Sequence, residues 1–299
     1  MDEAGHVPVV GGEVLSLLEP KAGQVVLDCT VGRGGHGALI VPRLAEGGVY
    51  VGLDADPGNV AFARARLAGA GIRVHIEHAN FTAARAVLDG LGLGRVDGLL
   101  ADLGFASSQM RDAERGFSFA ADGPLDMRLD PRIGRTAADL VNTLPEEALA
   151  NLIYEYGEER LSRKIARKIV EVRHRHPILR TGALADLVRG AYGPRARGLR
   201  IDPATRTFMA LRIAVNDELT ALERLLGSLG ELLAVGGRAA IISFHSLEDR
   251  LVKRAFLKLQ QEGRARRLTR KPITASEDEQ RSNPRSRSAK LRGIEWVGG

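Results

Sequence analysis

The chain has 299 residues, 44% of them hydrophobic, and a net charge of +6, which is enough apolar material for a packed α/β core. No apolar run reaches the roughly 20 residues of a membrane span, and the first residues lack the features of an export segment, so we expect a cytoplasmic protein without membrane contact. Cys29 is the only cysteine, which excludes an intrachain disulfide and a multi-cysteine metal site, and no histidine spacing indicates a metal.

A glycine-rich turn follows the first predicted strand. The apolar residues 25–27 lead to Asp28, and Gly32 to Gly37 match the pattern G-x-G-x-x-G before a predicted helix. Such a strand, turn and helix bind nucleotide-like ligands in α/β sheets, because glycine lets the backbone approach the ligand closely. The Asp28 carboxylate favours a cationic ligand such as S-adenosylmethionine over a pyrophosphate. The glycine pattern alone is weak, because turns that bind no ligand share it.

The second predicted strand, residues 49–54, ends in Asp54. A carboxylate at this place accepts hydrogen bonds from ribose hydroxyls, which both NAD and S-adenosylmethionine carry. The third strand, residues 73–78, is followed by Phe81, whose ring either stacks on an adenine or packs in the core. Nucleoside binding is therefore predicted, and the identity of the cofactor stays open at this point.

The fourth predicted strand, residues 96–102, also ends in a carboxylate, Asp102. Ligands of open α/β sheets bind beyond the carboxyl ends of the strands, so we expect Asp28, Asp54, Phe81 and Asp102 to surround one crevice. A dehydrogenase does not require Asp28 and Asp102, whereas a methyltransferase does.

The alternation of strand and helix stops after the fourth strand for about a hundred residues. Apolar residues near period 3.6 predict one long helix over 144–172 and another over 203–226, and Thr181 is predicted to cap a helix between them. Residues 235–238 are predicted as a turn before a fifth strand, 239–244. The first domain would then comprise residues 1–112 and 213–299, and an inserted helical domain would comprise residues 113–212.

Positive charge is concentrated in two parts of the chain. Residues 151–200 hold 12 Lys and Arg against 5 Asp and Glu, and residues 250–299 hold 14 against 5. Two basic blocks beside a nucleoside-binding domain favour nucleic acid as the substrate class. For either block alone, a solvated helix face is the simpler alternative.

Sequence motifs spread over nearly the whole chain resemble those of the bacterial 16S rRNA (cytosine-N4)-methyltransferases. These motifs are His6-Val7-Pro8-Val9 and the segments 28–37, 54–57, 115–119, 123–128, 156–159, 203–208, 243–250 and 283–292. Several of them are too long for chance agreement.

The resemblance implies an α/β fold of the class I S-adenosylmethionine-dependent methyltransferases, Rossmann-like, with an inserted helical domain for substrate recognition. It also implies N4-methylation of cytosine 1402 in the decoding region of 16S rRNA, within the small ribosomal subunit or its precursor. The cofactor contacts that it implies are Gly34, Gly35, His36, Asp54, Phe81, Asp102 and Gln109. Arg206, His245 and Asn283 are further candidate contacts to the RNA. The basic cluster of Arg285, Arg287, Lys290 and Arg292 suits contacts to RNA phosphates, which position the RNA without reading its sequence.

Asp102 is the expected catalytic residue. The N4 amine of cytosine is a poor nucleophile, and an acceptor on its hydrogen favours attack and relieves the developing positive charge. Ser107 or Ser108 could assist, or could only cap a short turn. Ser246 with Asp249 fits a helix cap, and the role of His245 is unassigned.

The chain departs from the family pattern at two places. Residues 105–108 read Phe-Ala-Ser-Ser where the family has Val-Ser-Ser-Pro, and Asp202 and Met209 replace a histidine and a glutamine. Both changes lie near the expected substrate side and leave open how the target base is held.

Three alternatives share parts of the pattern. An NAD-dependent oxidoreductase would share the glycine turn and Asp54. A DNA amino-methyltransferase would share the chemistry but carry an Asn/Asp-Pro-Pro-aromatic segment after the fourth strand, where residues 102–105 read Asp-Leu-Gly-Phe. A non-catalytic RNA-binding assembly factor would keep the basic blocks without the activity.

Overall fold

The structure is a computed structural model that describes residues 8–196, 198–199 and 201–298. The predicted motif at 6–9 therefore lies partly outside the described residues, since His6 and Val7 are not among them. The chain divides into two compact units, Met1–Gly104 with Leu219–Gly299 and Phe105–Glu218, named here the sheet unit and the helical unit. The sequence had placed these divisions at 112/113 and 212/213. Phe105 stacks on Phe117 at a ring-centroid distance of 5.4 Å, which assigns the segment after Gly104 to the helical unit.

The sheet unit contains a seven-stranded sheet with the order β3-β2-β1-β4-β5-β7-β6. Its strands are β1 (Val25–Asp28), β2 (Val49–Asp54), β3 (Arg73–His78), β4 (Val96–Asp102), β5 (Leu233–Ser243), β6 (Ala265–Arg267) and β7 (Lys290–Trp296). β1 to β5 run parallel to one another, whereas β7 is antiparallel to both β5 and β6. The four strands predicted before residue 103 are confirmed.

The helices belong to both units. In chain order they are α1 (Gly11–Leu18), α2 (Gly35–Leu44), α3 (Pro57–Arg66), α4 (Ala84–Gly90), α5 (Ser107–Arg111), α6 (Ala137–Thr143), α7 (Glu146–Gly157), α8 (Ser162–Arg173), α9 (Thr181–Tyr192), α10 (Ala204–Asn216), α11 (Glu218–Leu232), α12 (Ser246–Gln261) and α13 (Glu277–Ser282). The helical unit holds α5 to α10. Within the described part of the chain, no helix is both long and apolar enough to cross a bilayer.

The sheet is buried on both faces, which explains why its central strands are almost continuously apolar. One core cluster joins Leu27 and Leu99 with the leucine stripe of α11. A second cluster joins Tyr50 and Leu100 with Ile40 of α2. Interior positions of the central strands are therefore occupied by apolar side chains, and carboxylates stand where the strands end.

The two long helices predicted from periodicity are wrong, because each is broken by a residue in the left-handed region. Glu158, with φ of 48°, separates α7 from α8, and Asp217, with φ of 49°, separates α10 from α11. After the first break, the buried Glu159 accepts the Leu161 N–H at 2.7 Å and the Tyr192 hydroxyl at 2.7 Å. Tertiary contacts of this kind leave no trace in the apolar period of the helices.

Two predicted helix caps and one predicted turn also differ from the structure. Thr181 is the first residue of α9 and not its cap, and its hydroxyl accepts the Gly123 N–H at 3.0 Å. The cap of α12 is His245, which forms a capping box with Glu248, and not Ser246 with Asp249. Residues 235–238 lie within β5. The glycines that suggested a turn are accommodated by an irregular register between β5 and β4.

A buried ion pair joins α12 to β7. The Arg292 Nε lies 2.7 Å from Asp249 Oδ1, and the Arg292 Nη2 lies 3.3 Å from Asp249 Oδ2. Lys290 Nζ approaches Asp249 Oδ2 at 3.4 Å. Burial raises the pKa of Asp249, but the hydrogen bonds and charges of Arg292 and Lys290 outweigh this effect and lower its pKa below the usual value.

We predict that Asp249→Ala lowers the free energy of unfolding by about 3–5 kcal/mol, because it leaves the Arg292 guanidinium buried without its partner. The double replacement Asp249→Leu/Arg292→Leu should recover most of that loss. Urea unfolding at neutral pH measures both effects. Because the folded pKa of Asp249 is lowered, the contribution of the pair should persist at pH values above about 4 and disappear as the pH falls further. An equal loss in the single and double variants would contradict this assignment.

Candidate active site

Three strand ends and one turn come together at the carboxyl edge of the sheet. β1, β2 and β4 are adjacent and parallel, so their last residues, Asp28, Asp54 and Asp102, stand at the same edge. The glycine-rich turn leaves β1 at this edge and leads into α2. β1, β2 and β4 thus end at one edge of the sheet, as the sequence predicts, and the expected crevice around their carboxylates stays a prediction.

The glycines of the turn are required by backbone conformation and by close packing. Gly32 and Gly34 have φ of 52° and 74°, in the region that glycine occupies without strain, and Gly35 begins α2. A Cβ on Gly37 would lie 2.8 Å from the Tyr50 hydroxyl, so this glycine lets α2 pack directly on β2. These are the roles that glycines play in a nucleotide-binding turn.

Asp54 connects the end of β2 to the glycine turn. Its Oδ2 accepts the Gly32 N–H at 2.8 Å, and its Oδ1 accepts the Asp56 N–H at 2.8 Å and the Asn59 side-chain N–H at 3.3 Å. Burial of the carboxylate raises the pKa of Asp54 to about 6, although the three hydrogen bonds act in the opposite direction. The carboxylate is thus fixed in position and partly desolvated.

Asp28 differs from the sequence interpretation, which placed its charge beside the ligand. It is 1% exposed, its Oδ2 accepts the Tyr50 hydroxyl at 2.6 Å and its Oδ1 accepts the Thr30 N–H at 3.0 Å. Burial raises the pKa of Asp28 above the usual value, against the hydrogen bond from Tyr50 and the charge of His36. Asp28 therefore holds the start of the turn and is shielded from solvent.

His36 and Asp102 face each other at the edge of the sheet. His36 lies in the first turn of α2 and is 6% exposed, and its Nε2 lies 3.6 Å from Asp102 Oδ2. Neither ring nitrogen of His36, nor Oδ1 of Asp102, has a hydrogen-bond partner among the described residues, although all three atoms are buried. Buried polar atoms are nearly always paired in folded proteins, so a ligand here would supply the missing partners.

Phe81 follows β3 in a short 3₁₀ turn whose preceding residue, Asn80, accepts the Thr82 N–H at 2.9 Å. The Phe81 ring is half-buried and packs against the core cluster that contains Leu27. Both roles that the sequence allowed for this ring, core packing and a surface for an adenine, are compatible with partial burial.

The remaining predicted cofactor residue, Gln109, belongs to the helical unit. It lies in α5, is 5% exposed, and its Oε1 accepts the Ala106 N–H at 2.7 Å. Arg206 belongs to the same unit, is exposed on α10 and donates to the Glu158 carbonyl at 3.4 Å. The side chains of Ser107 and Ser108 lie outside the described part of the structure.

Glu248, for which the sequence predicts no role, holds the segment after β5. Glu248 is 3% exposed, and its Oε2 accepts the Phe244 N–H at 2.8 Å and the His245 N–H at 3.3 Å. The His245 Nε2 lies 3.2 Å from Glu248 Oε1. The sequence predicts a helix cap at Ser246 with Asp249, one residue after the capping box of His245 with Glu248.

The predicted basic cluster is not uniform. Arg287 is exposed and donates to the Gln280 carbonyl, and Asn283 ends α13 and is half-buried. Lys290 shares Asp249 with the buried Arg292, so its charge is partly neutralised. Arg285 is half-buried with its Cζ 5.8 Å from the centroid of the Phe244 ring.

We predict that the Asp54 carboxyl titrates near pH 6 in the folded protein, about two units above an unfolded aspartate. The folded state then binds the proton more tightly than the unfolded state. The ionised, desolvated carboxylate therefore lowers the free energy of unfolding progressively between about pH 4 and about pH 6, and by a constant amount above pH 6. Carboxyl-carbon NMR of labelled protein follows the titration, with the urea-unfolded chain as control. A titration midpoint near pH 4 for Asp54 in the folded protein would contradict the assignment of a desolvated carboxylate.

Comparison with known proteins is consistent with this geometry. Residues 3–297 match the sequence profile of the MraW methylase family. The chain is 48% identical to "Ribosomal RNA small subunit methyltransferase H" of Geobacter sp. (strain M21), over 99% of this chain and 100% of that protein. It is 51% identical to the protein of the same name from Synechococcus sp. (strain CC9902), over 100% of both chains. The chain therefore belongs to the MraW methylase family and is an S-adenosylmethionine-dependent methyltransferase with a Rossmann-like α/β fold.

Proposed function

We propose that this enzyme methylates the N4 amine of cytosine 1402 in 16S rRNA, within the small ribosomal subunit or its precursor in the cytoplasm. The observation that carries the proposal is end-to-end similarity to proteins named small-subunit rRNA methyltransferases, at 44–51% identity. The family is a methylase family, so the oxidoreductase alternative is wrong, and the enzyme assignment removes the non-catalytic alternative. The relatives' names favour RNA over DNA as the substrate.

Gly34, Gly35, His36, Asp54 and Phe81 would hold the cofactor at the edge of the sheet. The glycine turn allows close approach, and the rigidly held Asp54 can accept ribose hydroxyls. The ring nitrogens of His36, for which the described residues offer no hydrogen-bond partner, support a polar ligand at this place. When bound, S-adenosylmethionine supplies a methyl group on a sulfonium. Gln109 is the one proposed cofactor contact that comes from the helical unit.

Asp102 would orient the amine that attacks the methyl group. Its Oδ1 is buried without a hydrogen-bond partner among the described residues, and its backbone N–H donates to the Thr30 hydroxyl at 2.6 Å, which fixes the strand end. A carboxylate oxygen held in this way can accept a hydrogen from N4 and stabilise the positive charge that develops on the nitrogen. Catalysis of this kind depends mainly on positioning of nucleophile and methyl group.

Exposed cations of both units would bind the phosphates of the RNA. On α8 the apolar residues face the core, whereas Arg163, Lys164 and Arg167 are exposed. In the sheet unit, Arg287 and Lys290 are the proposed phosphate contacts. Phosphate contacts position the RNA without reading its sequence, and the target base must be unstacked to reach an enclosed site.

Arg206, His245 and Asn283 are further proposed contacts to the RNA. Arg206 is exposed on α10, and His245 is fixed at the end of β5 through Glu248. Asn283 precedes the segment that carries Arg285.

We predict that Asp54→Ala weakens S-adenosylmethionine binding by about 1–3 kcal/mol, because it removes charge-assisted hydrogen bonds to the ribose. In the unchanged enzyme, affinity should fall as the pH drops through about 6, since protonation removes the charge of Asp54. The variant should lose this pH dependence. Calorimetry at pH 5 and pH 7.5 measures both effects, and unchanged affinity in a folded variant would overturn the assignment.

We predict that Asp102→Ala abolishes methyl transfer to rRNA while the protein still folds, because the side chain ends a strand and is not part of the apolar core. Asp89→Ala, which changes an exposed carboxylate of α4, is the matched control and should leave turnover unchanged. The substrate is small-subunit particles from cells that lack the methyl group. Mass spectrometry of nuclease-digested rRNA locates the methyl group. A methyl on a ring carbon or a ribose oxygen, or preferential methylation of DNA, would refute the proposed reaction.

A further inference from the structure

Three neighbouring segments of the sheet unit meet at the edge where Asp102 ends β4. β5 pairs in parallel with β4, with Asp102 opposite Ile242, so Phe244 follows β5 at the same edge. β7 is antiparallel to β5, with Lys290 opposite Ser243, so the segment before Lys290 also reaches this edge. That segment is the 3₁₀ turn Pro284–Ser288, which carries Arg285.

Contacts within the sheet unit hold Arg285 near the end of β4. The Phe244 ring lies against Gly104, where a Cβ would be 3.7 Å from Phe244 Cδ2. The Arg285 guanidinium lies over the same ring, with Cζ 5.8 Å from the centroid. Ser286 and Ala289, which follow the arginine in the chain, are fully buried and anchor the turn.

Electrostatics distinguishes Arg285 from the other cations of the basic cluster. Burial lowers the pKa of the Arg285 guanidinium below its usual value, and the charge of Asp102 opposes this effect. The two charged groups therefore interact across the edge of the sheet. Arg287 in the same turn is exposed, and Lys290 is bound to Asp249. A phosphate-binding side chain gains nothing from partial burial beside a carboxylate, because the carboxylate repels the phosphate.

The pair of Asp102 and Arg285 is complementary to one edge of an aminopyrimidine. The base edge of cytosine presents the N4 amine as a donor and, next to it, N3 and O2 as acceptors, whereas uracil presents an acceptor and a donor in the reverse order. A carboxylate beside a guanidinium offers an acceptor beside a set of donors. With uracil, the carboxylate would face an oxygen and the guanidinium would face an N–H, so both side chains would lose their partners.

We propose that Arg285 binds the ring acceptors of the target cytosine while Asp102 accepts from its N4 amine, so that the two side chains together recognise the base and orient the nucleophile. This inference rests on the proposed reaction, and it assigns Arg285 to the base where the sequence had grouped it with phosphate contacts. The guanidinium is suited to this role because it is planar and presents its donors as a fork.

The test compares Arg285→Lys and Arg285→Ala with Arg287→Ala, using the full-length enzyme and small-subunit particles that lack the methyl group. Both Arg285 variants should lower kcat about ten- to hundredfold, because lysine keeps the charge but not the fork. The S-adenosylmethionine affinity should not change, and the slope of log affinity for the particles against log salt should also stay the same. Arg287→Ala should reduce that slope by about one unit. Arg95→Ala, which changes an exposed arginine just before the start of β4, is the control and should leave both kcat and the slope unchanged.

A second measurement uses particles reconstituted with 3-deazacytosine at the target position, which keeps the amine and removes the N3 acceptor. The unchanged enzyme should lose activity on this particle, and Arg285→Ala should lose little more, because the contact is already absent. If the losses from the analogue and from Arg285→Ala were additive, the proposed contact between Arg285 and the base would be wrong. A reduced salt slope in the Arg285 variants would return this residue to the phosphates, and a weakened S-adenosylmethionine affinity would assign it to the cofactor. Methylation of the cytosine N4 amine by the unchanged enzyme, on particles with the natural base, tests the proposed function separately.

Discussion

The parallel alignment of β1, β2 and β4 is the constraint on which the site depends. A sheet covered on both faces accepts apolar side chains along its strands and tolerates carboxylates only where the strands end. Because parallel strands end at the same edge, Asp54 and Asp102 are brought together without any contact between them in sequence. The glycine turn starts at the same edge, so backbone N–H groups stand beside the carboxylates.

Polar groups at this edge are not arranged for the greatest stability of the free protein. Asp54 is held by three donors and still has a pKa raised to about 6 by burial. His36 and Asp102 carry buried atoms without hydrogen-bond partners among the described residues, which costs free energy in the folded chain. Strongly perturbed carboxylates and incompletely paired polar atoms are frequent at functional sites, since the missing interactions are then available to a substrate or cofactor. Asp28, with both oxygens bonded inside the protein, is a supporting residue by the same criterion.

The arginines of the C-terminal basic block differ in burial and in pairing although they are close in sequence. Arg292 is buried in β7 and neutralised by Asp249, so it contributes to the attachment of α12. Arg287 is exposed and suited to phosphates, whereas Arg285 is held against Phe244 near Asp102. A net charge counted along the chain treats these three arginines alike. Their surroundings differ because Arg292 lies within β7, whereas Arg285 and Arg287 lie in the turn before it.

Local sequence determined the parts of the fold whose causes are local. Apolar runs that end in carboxylates predicted β1 to β4, and the G-x-G-x-x-G pattern predicted the turn that binds Asp54. Periodicity could not show the breaks at Glu158 and Asp217, because one left-handed residue hardly changes an apolar period. β7 was also invisible, because its partner β5 lies far away along the chain and its arginine becomes acceptable in the interior only through Asp249. The sequence by itself thus determined the strand ends and the chemistry they carry, whereas tertiary structure decided which charges are buried and which are paired, because those properties depend on neighbours distant in sequence.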